Sequence, residues 1–183
     1  MPSLRILDFD IENRPLAYWY DGMTTAEVTA IAACWMDQPT TMRVWLLGRQ
    51  KPKAILEGFR RMYNQADLVT GHYIRRHDLP IINGGMLEAG LPPLEPKLTC
   101  DTKLDLVKRK DLSASLEELG EMRGLTVKKQ HMSNHAWREA NRLKPSGIQQ
   151  ARERATSDVI LHMEVFKQLR DGGYLGDPKV WRP

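Results

Sequence analysis

Apolar and acidic residues alternate near the start of the chain, where residues 7–13 read LDFDIEN. A period of two predicts a β-strand, and residues two positions apart share one face of a strand. Asp8, Asp10 and Glu12 are therefore expected to project together. Three acids on one face repel each other unless a cation lies among them, and oxygen ligands favour Mg²⁺ or Mn²⁺. The alternative is an edge strand with a solvated acidic face.

The rest of the pattern predicts a mixture of strands and helices. Strands are expected at 24–36, 41–47, 68–70 and 98–102, with a hairpin turn at 37–39. Helices are expected at 53–63, 79–89, 115–122 and 148–170. Residues 128–144 are polar and basic without a clean period, which favours a flexible connection facing a substrate. The pattern predicts one α/β domain over residues 1–171, followed by an irregular tail, 172–183.

Composition places the chain among soluble globular proteins. It has 183 residues, of which 42% are hydrophobic and 27% charged. No apolar run has the length of a membrane span, and the N-terminus lacks a signal-peptide pattern. Cys34 and Cys100 lie far apart without neighbours of a metal-binding type, which favours free thiols in a reducing compartment. We therefore expect no membrane association and a cytoplasmic location, in the host if the protein comes from a phage; the oligomeric state is not indicated.

The net charge is +4 and the pI is about 9.1, and the basic residues are grouped. The groups are Arg60-Arg61, Arg75-Arg76, Lys108-Arg109-Lys110, Lys128-Lys129, and Arg152 with Arg154. Such groups are often solvated faces. An acidic strand inside a basic chain nevertheless suggests phosphate chemistry, held by a metal, on a polyanion.

The long helix predicted near the C-terminus carries an acid and a histidine on its apolar face. The stripe consists of Ile148, Ala151, Ala155, Asp158, His162, Phe166 and Leu169. Burying an unpaired carboxylate costs several kcal/mol, so Asp158 needs a partner. That partner is either an arginine in a salt bridge or a metal ion beside the first strand.

A further acid, Asp78, follows the strand predicted at 68–70 and its closing glycine. It either caps the helix predicted at 79–89 or serves as a ligand. Together, Asp10, Glu12, Asp78 and Asp158 give four acids in the order strand, helix start and late helix.

In these motifs the sequence resembles the DEDD 3′–5′ exonucleases of the ribonuclease H-like fold, a family that includes polymerase proofreading domains. The resemblance covers about residues 4 to 170. The similar segments are Asp10-Ile11-Glu12, Gly71-His72-Tyr73-Ile74 through Asp78, Cys100-Asp101-Thr102-Lys103-Leu104, Leu116-Glu117-Glu118-Leu119, and Asp158-Val159 with Leu161 and Leu169. In the second motif Tyr73 replaces the family's Asn, and His77 replaces its Phe. The resemblance implies a mixed five-stranded sheet flanked by helices.

The resemblance also implies a two-metal phosphodiester hydrolysis with Mg²⁺ or Mn²⁺. Asp10 would bridge two ions, and Glu12, Asp78 and Asp158 would complete the site. Asp8 is expected to be a neighbour of the site rather than a ligand.

The chain departs from the family at the residue that orients the attacking water. Family members carry a Tyr four residues, or a His five residues, before the last Asp, and these positions here hold Arg154 and Glu153. An arginine is not a plausible base, because its pKa stays above about 12, but it could contact the scissile phosphate. The candidates for the base are Glu153, His131, His135 and His162, of which His135 in the polar connection is preferred. Catalysis that relies on the metal-bound water alone is the other alternative.

The function implied is a metal-dependent 3′–5′ exonuclease that acts on single-stranded or frayed DNA or RNA, in replication, repair or RNA processing. Basic residues would contact the phosphates, and bases would stack on aromatic side chains: Tyr18, Trp19, Tyr73 or Trp137. Any polymerase or replication protein it serves is expected to be a separate chain. Two alternatives stay open, a ribonuclease H-like endonuclease such as a junction resolvase, and a nucleic-acid-binding module without turnover.

Overall fold

The computed structural model describes residues 4–16, 25–107 and 114–183. Within these ranges the chain forms six strands and five helices. In chain order they are β1 (Ile6–Leu16), β2 (Thr25–Trp35), β3 (Gln38–Leu46), α1 (Pro52–Gln65), β4 (Leu68–Gly71), α2 (Asp78–Glu88), β5 (Lys97–Asp101), α3 (Leu116–Met122), α4 (Asn134–Asn141), α5 (Pro145–Asp171) and β6 (Lys179–Trp181).

The strands form one mixed sheet in the order β3-β2-β1-β4-β5-β6. β1, β2 and β3 are antiparallel neighbours, whereas β4 and β5 run parallel to β1, and β6 closes the far edge antiparallel to β5. The α/β prediction is confirmed, and the architecture agrees with a ribonuclease H-like fold. Because β1 lies between β2 and β4, the solvated edge-strand interpretation of its acids is wrong.

The two faces of β1 have different partners, as its alternating pattern requires. Leu7, Phe9 and Ile11 are buried in the main core under α1 and α2. The ring centroids of Phe9 and Phe59 lie 4.9 Å apart. The acids consequently face the opposite side of the sheet, where α5 packs.

Helix α5 packs on the sheet partly through small residues. Ala30 and Ala32 of β2 share a buried cluster with Ala155 and Val159 of α5. Each of these four residues is almost fully buried. Asp158 lies between Ala155 and Val159 in the sequence of α5. This packing therefore brings it next to the acidic face of β1.

Two segments differ from the sequence-based expectation. The tail predicted to be irregular contains β6, so the sheet in the described residues has six strands and not five; Lys97 of β5 pairs with Trp181, which is buried. Residues 128–144, predicted to be a flexible connection, contain α4, which Ser133 caps by accepting a hydrogen bond from the Ala136 N–H at 3.1 Å. This helix packs so closely on α5 that a Cβ at Gly147 would collide with the backbone of Ala140.

The expectations for the cap of α3 and for the two cysteines are confirmed. The Ser115 hydroxyl caps α3 by accepting from the Glu118 N–H at 3.2 Å. Cys34 and Cys100 are both free and buried. Among the described residues there is no helix of the length and apolarity that crossing a membrane requires. Tyr18, Trp19 and Lys108 to Lys110 lie outside the described residues.

Candidate functional site

A pocket of about 200 Å³ lies where β1 continues past the last residue that it pairs with on β4. Three elements supply its acids: β1 contributes Asp10 and Glu12, the start of α2 contributes Asp78, and α5 contributes Asp158. The other lining residues are Ile11, Asn13, His72, Tyr73, His77, Lys129 and Arg154. The four acids singled out in the sequence therefore meet in one place.

The carboxylates are close enough to share a cation. Oxygens of Asp10, Glu12 and Asp158 all lie within 4.8 Å of one another. Asp78 is fixed beside them because its Oδ1 accepts a hydrogen bond from the Ile11 N–H at 3.1 Å. The N-cap residue of α2 is His77, so the interpretation of Asp78 as the cap of that helix is wrong.

The electrostatics of the pocket favour a divalent cation. Burial raises the pKa of Asp10 well above its ordinary value, and the charges of Asp78, Asp158 and Glu12 raise it further, against a smaller opposite effect of Lys129. The Oδ1 atom of Asp158 is buried and has no hydrogen-bond partner among the described residues. An oxygen-only donor set with an unsatisfied buried oxygen fits Mg²⁺ or Mn²⁺.

A lysine and an arginine already contact two of the acids, and His77 Nδ1 lies 3.4 Å from Asp78 Oδ2. The Lys129 Nζ lies 2.7 Å from Asp158 Oδ2, and the Arg154 Nε donates to Glu12 Oε1 at 2.6 Å. Asp158 therefore does have the salt bridge considered from the sequence, although a lysine rather than an arginine is its nearest cation. The four carboxylates, when ionised, outnumber Lys129 and Arg154 by two, and they outnumber the cations by one when His77 is protonated, so the protein alone does not balance the charge of the pocket.

Several contacts hold Arg154, which lies one helical turn before Asp158. Its Nη1 donates to the Gln130 carbonyl oxygen at 2.9 Å, and its guanidinium lies 5.3 Å from the centre of the Trp137 ring. Its Nη2 is 3.9 Å from Asp158 Oδ2. Trp137, considered as a base-stacking residue, thus supports Arg154.

The candidate bases lie elsewhere. His135 is exposed on α4 and is not among the residues that line the pocket. His131 is also exposed, and its Nε2 lies 2.8 Å from Glu117 Oε1. Glu153 accepts hydrogen bonds from the Gln149 and Gln130 side chains, which lower its pKa. The structure brings none of these three side chains to the acids.

His162 is also outside the pocket, buried in a polar chain behind it. Its Nδ1 lies 2.5 Å from Asp8 Oδ2, and its Nε2 lies 2.9 Å from the Thr102 hydroxyl. The same hydroxyl lies 3.0 Å from His72 Nδ1. Burial raises the pKa of Asp8, and His162 partly offsets this effect. Asp8 and His162 thus form a structural pair behind the site.

Sequence reasoning missed Lys129 as an individual site residue. Lys129 belongs to a basic doublet, but its contact with Asp158 depends on the path of an irregular segment.

The unusual backbone of Tyr73 could not be predicted from the sequence either. Its φ of 72° lies in the left-handed region that non-glycine residues rarely adopt. Strain of this kind is concentrated at functional sites.

Comparisons with known proteins bear on the fold. No protein-family model and no curated protein matches the sequence. Among solved structures, the chain is similar to the family B DNA polymerase from the hyperthermophilic archaeon Pyrobaculum calidifontis, with a TM-score of 0.69 and 17% sequence identity. The similarity covers 92% of this chain and 25% of the polymerase chain. The chain therefore shares its fold with about a quarter of that polymerase.

Proposed function

We propose that this protein is a metal-dependent 3′–5′ exonuclease that hydrolyses phosphodiester bonds of DNA or RNA by a two-metal mechanism. The observation that carries the proposal is the convergence of Asp10, Glu12, Asp78 and Asp158, from three separate elements, on one pocket. The motif resemblance to the DEDD exonucleases and the structural similarity to a DNA polymerase support it.

The residues have distinct roles in this proposal. Asp10 lies within 4.8 Å of Glu12 and Asp158 and also interacts with the charge of Asp78, so its carboxylate would be the one shared between ions, as the motif resemblance implies. Asp78, whose Oδ1 accepts a hydrogen bond from the Ile11 N–H, lines the same pocket and would complete the ligand set. Divalent ions bound here would lower the pKa of a water molecule and stabilise charge on the attacking and leaving oxygens.

Lys129 and Arg154 would serve the substrate phosphate. In the free protein they contact the same carboxylates that would hold the ions, at 2.7 Å and 2.6 Å. With those carboxylates engaged in holding a cation, the Lys129 ammonium and the Arg154 guanidinium would be available to the phosphate oxygens. A guanidinium is well suited to this because it donates two parallel hydrogen bonds to one phosphate.

A second candidate is a nucleic-acid-binding module without turnover. It is favoured by one observation, the close pairing of both cations with the acids, which allows the fold to stand without metal. The two candidates differ in one measurable respect: the module binds single strands and does not hydrolyse them in any divalent metal.

The experiment uses single-stranded DNA and RNA oligonucleotides labelled at the 3′ or the 5′ end, incubated with Mg²⁺ or Mn²⁺. A 3′–5′ exonuclease releases the 3′ label at once as a mononucleotide and shortens the 5′-labelled strand progressively. Asp10→Asn and Asp158→Asn should each lose at least about 100-fold in rate, since either change removes a ligand that acts in the transition state.

The matched control is Asp171→Asn, an equal change at the exposed end of α5. It should cleave like the wild type. Equal cleavage by wild type, Asp10→Asn and Asp158→Asn would overturn the proposal. Cleavage of a circular strand would favour an endonuclease instead, and tight binding without hydrolysis would favour the module.

A further inference from the structure

A second, basic cleft of about 570 Å³ adjoins the acidic pocket. Its lining residues are Tyr73, Arg75, Arg76, Lys103, Leu104, Lys179 and Val180. The four cations come from three separate segments, which follow β4, follow β5 and form β6. Their convergence is therefore a product of the fold, and only Arg75 and Arg76 are neighbours in the sequence.

Tyr73 belongs to the walls of both the acidic pocket and the basic cleft. Its left-handed backbone is held by Asp101, whose carboxylate accepts the N–H groups of Tyr73 and Arg75 at 3.0 Å and 3.1 Å. The Lys103 Nζ lies 4.5 Å from the centre of the Tyr73 ring. The loop between the two sites therefore has a fixed shape, and Tyr73 forms the partition between opposite charges.

One carboxylate orders two of the cations without neutralising the cleft. Asp105 accepts two hydrogen bonds from the Arg75 guanidinium, at 2.8 Å and 2.6 Å, and its Oδ1 lies 3.0 Å from the Lys179 Nζ. Arg76 is exposed and makes no ion pair with any residue that the structure describes. The cleft thus keeps an excess of positive charge beside a pocket with an excess of negative charge.

We propose that this basic cleft binds the phosphate backbone of the single strand whose 3′ end lies in the acidic pocket. This inference rests on the proposed exonuclease function. Four carboxylates repel a polyanion, so a strand that enters their pocket needs positive charge nearby to hold its remaining phosphates. The acidic pocket, at about 200 Å³, has room for the reacting phosphate and its ions, whereas the cleft of about 570 Å³ can take the backbone that follows.

The test compares the double variant Arg76→Gln/Lys179→Gln with a matched double variant on α1, Lys53→Gln/Arg61→Gln. All four residues are exposed, and neither α1 residue lines the cleft or the pocket. Binding of fluorescent (dT)12 and (rU)12 is measured by anisotropy in EDTA, where no hydrolysis occurs, over a range of KCl concentrations. Cleavage is measured separately with Mg²⁺ on (dT)12 and on a dinucleotide.

We expect the cleft variant to bind both 12-mers roughly tenfold more weakly, and its slope of log Kd against log[salt] to fall by about 1.4, since two phosphate contacts are lost. Its KM for (dT)12 should rise with little change in kcat, and dinucleotide cleavage should be unchanged. The α1 variant should match the wild type.

Equal affinity and equal salt slope in the cleft variant and the α1 variant would overturn the inference, even if the wild type cleaves. If the wild type never cleaves but the cleft variant binds single strands more weakly, the cleft is supported as a binding site and the exonuclease function is refuted. An equal loss of binding in both double variants would indicate a general charge effect and would also overturn the inference.

Discussion

Arg154 of α5 donates to the Glu12 carboxylate of β1 across 2.6 Å, and so one of the candidate metal ligands has an internal counter-ion. Both side chains are mostly buried, with exposed fractions of 16% and 12%. A metal ion must therefore compete with the guanidinium for Glu12. The affinity of the site for a cation depends on how strongly Arg154 holds this carboxylate.

Replacing Arg154 with glutamine should raise the affinity of the apo protein for Mn²⁺ by roughly tenfold, because it removes a neighbouring positive charge in a partly desolvated site. Isothermal titration calorimetry with MnCl₂ measures this change. Arg152→Gln, which removes an equal charge from an exposed position on the same helix, is the control and should bind as the wild type does. Unchanged or weaker binding in Arg154→Gln would show that the arginine does not compete with the ion.

Asp10→Asn should stabilise the apo protein and abolish its response to metal. The pKa of Asp10 is raised by burial and then by three neighbouring carboxylates, so its ionised form is disfavoured in the folded state. A neutral amide relieves that repulsion, and the Tm in EDTA should rise by a few degrees, as a shift of about 1 kcal/mol gives. The wild type should instead gain stability on addition of Mg²⁺ or Mn²⁺. Differential scanning calorimetry with metal and with EDTA measures the change in Tm. An increase in Tm with metal in the wild type only is the expected result, and an equal increase in Asp10→Asn would contradict the metal site.

His162 should matter for stability rather than for catalysis. His162→Leu leaves the Asp8 carboxylate buried without its partner, and the free energy of unfolding should fall by roughly 3–5 kcal/mol. The double variant Asp8→Asn/His162→Leu should be less destabilised than the sum of the two single variants, because a neutral amide is cheaper to bury than an unpaired carboxylate. Urea denaturation measures all four proteins. Strict additivity would show that Asp8 and His162 are not coupled.

His72 should make stability depend on pH on the acidic side. Burial, followed by nearby His162 and Lys103, lowers the pKa of His72 from 6.5 to about 3. The unfolded chain therefore binds this proton more readily, so the stabilisation is complete above about pH 6.5 and is lost as the pH falls towards 3. Between about pH 6 and pH 4, the unfolding free energy of the wild type should fall faster than that of His72→Gln, by up to about 1.4 kcal/mol per pH unit. Urea denaturation at several pH values measures this free energy, and an equal pH dependence in the wild type and His72→Gln would contradict the lowered pKa of His72.

The sequence predicts those parts of the site in which the spacing of apolar residues along one strand or helix determines which face is buried. Alternation along residues 7–13 placed Asp10 and Glu12 on one face of a strand, and helical spacing placed Asp158 on the buried face of α5. Each of these signals depends on a few neighbouring residues. Their meeting is what the resemblance of the four motifs to the DEDD exonucleases implies.

The parts that the sequence did not predict depend on contacts between distant segments. β6 has three residues, too few to show a period, and it exists because the edge of β5 offers unpaired backbone groups. The contact of Lys129 with Asp158 requires the path of an irregular segment, and the basic cleft requires three loops to converge. The polar, irregular pattern of residues 128–144 favours His135 as a base, but α4 orders part of that segment and leaves the side chain exposed.

A crystal structure of the protein soaked in Mn²⁺, with anomalous differences recorded for the metal, tests the metal site most directly. The proposed function predicts two peaks about 3.5–4 Å apart. One should be bound by Asp10, Glu12 and Asp158, and the other by Asp10 on the side of Asp78, with Lys129 and Arg154 displaced from the carboxylates. A map without a peak at these residues, in which Lys129 remains on Asp158 and Arg154 on Glu12 at high Mn²⁺ concentration, would contradict it.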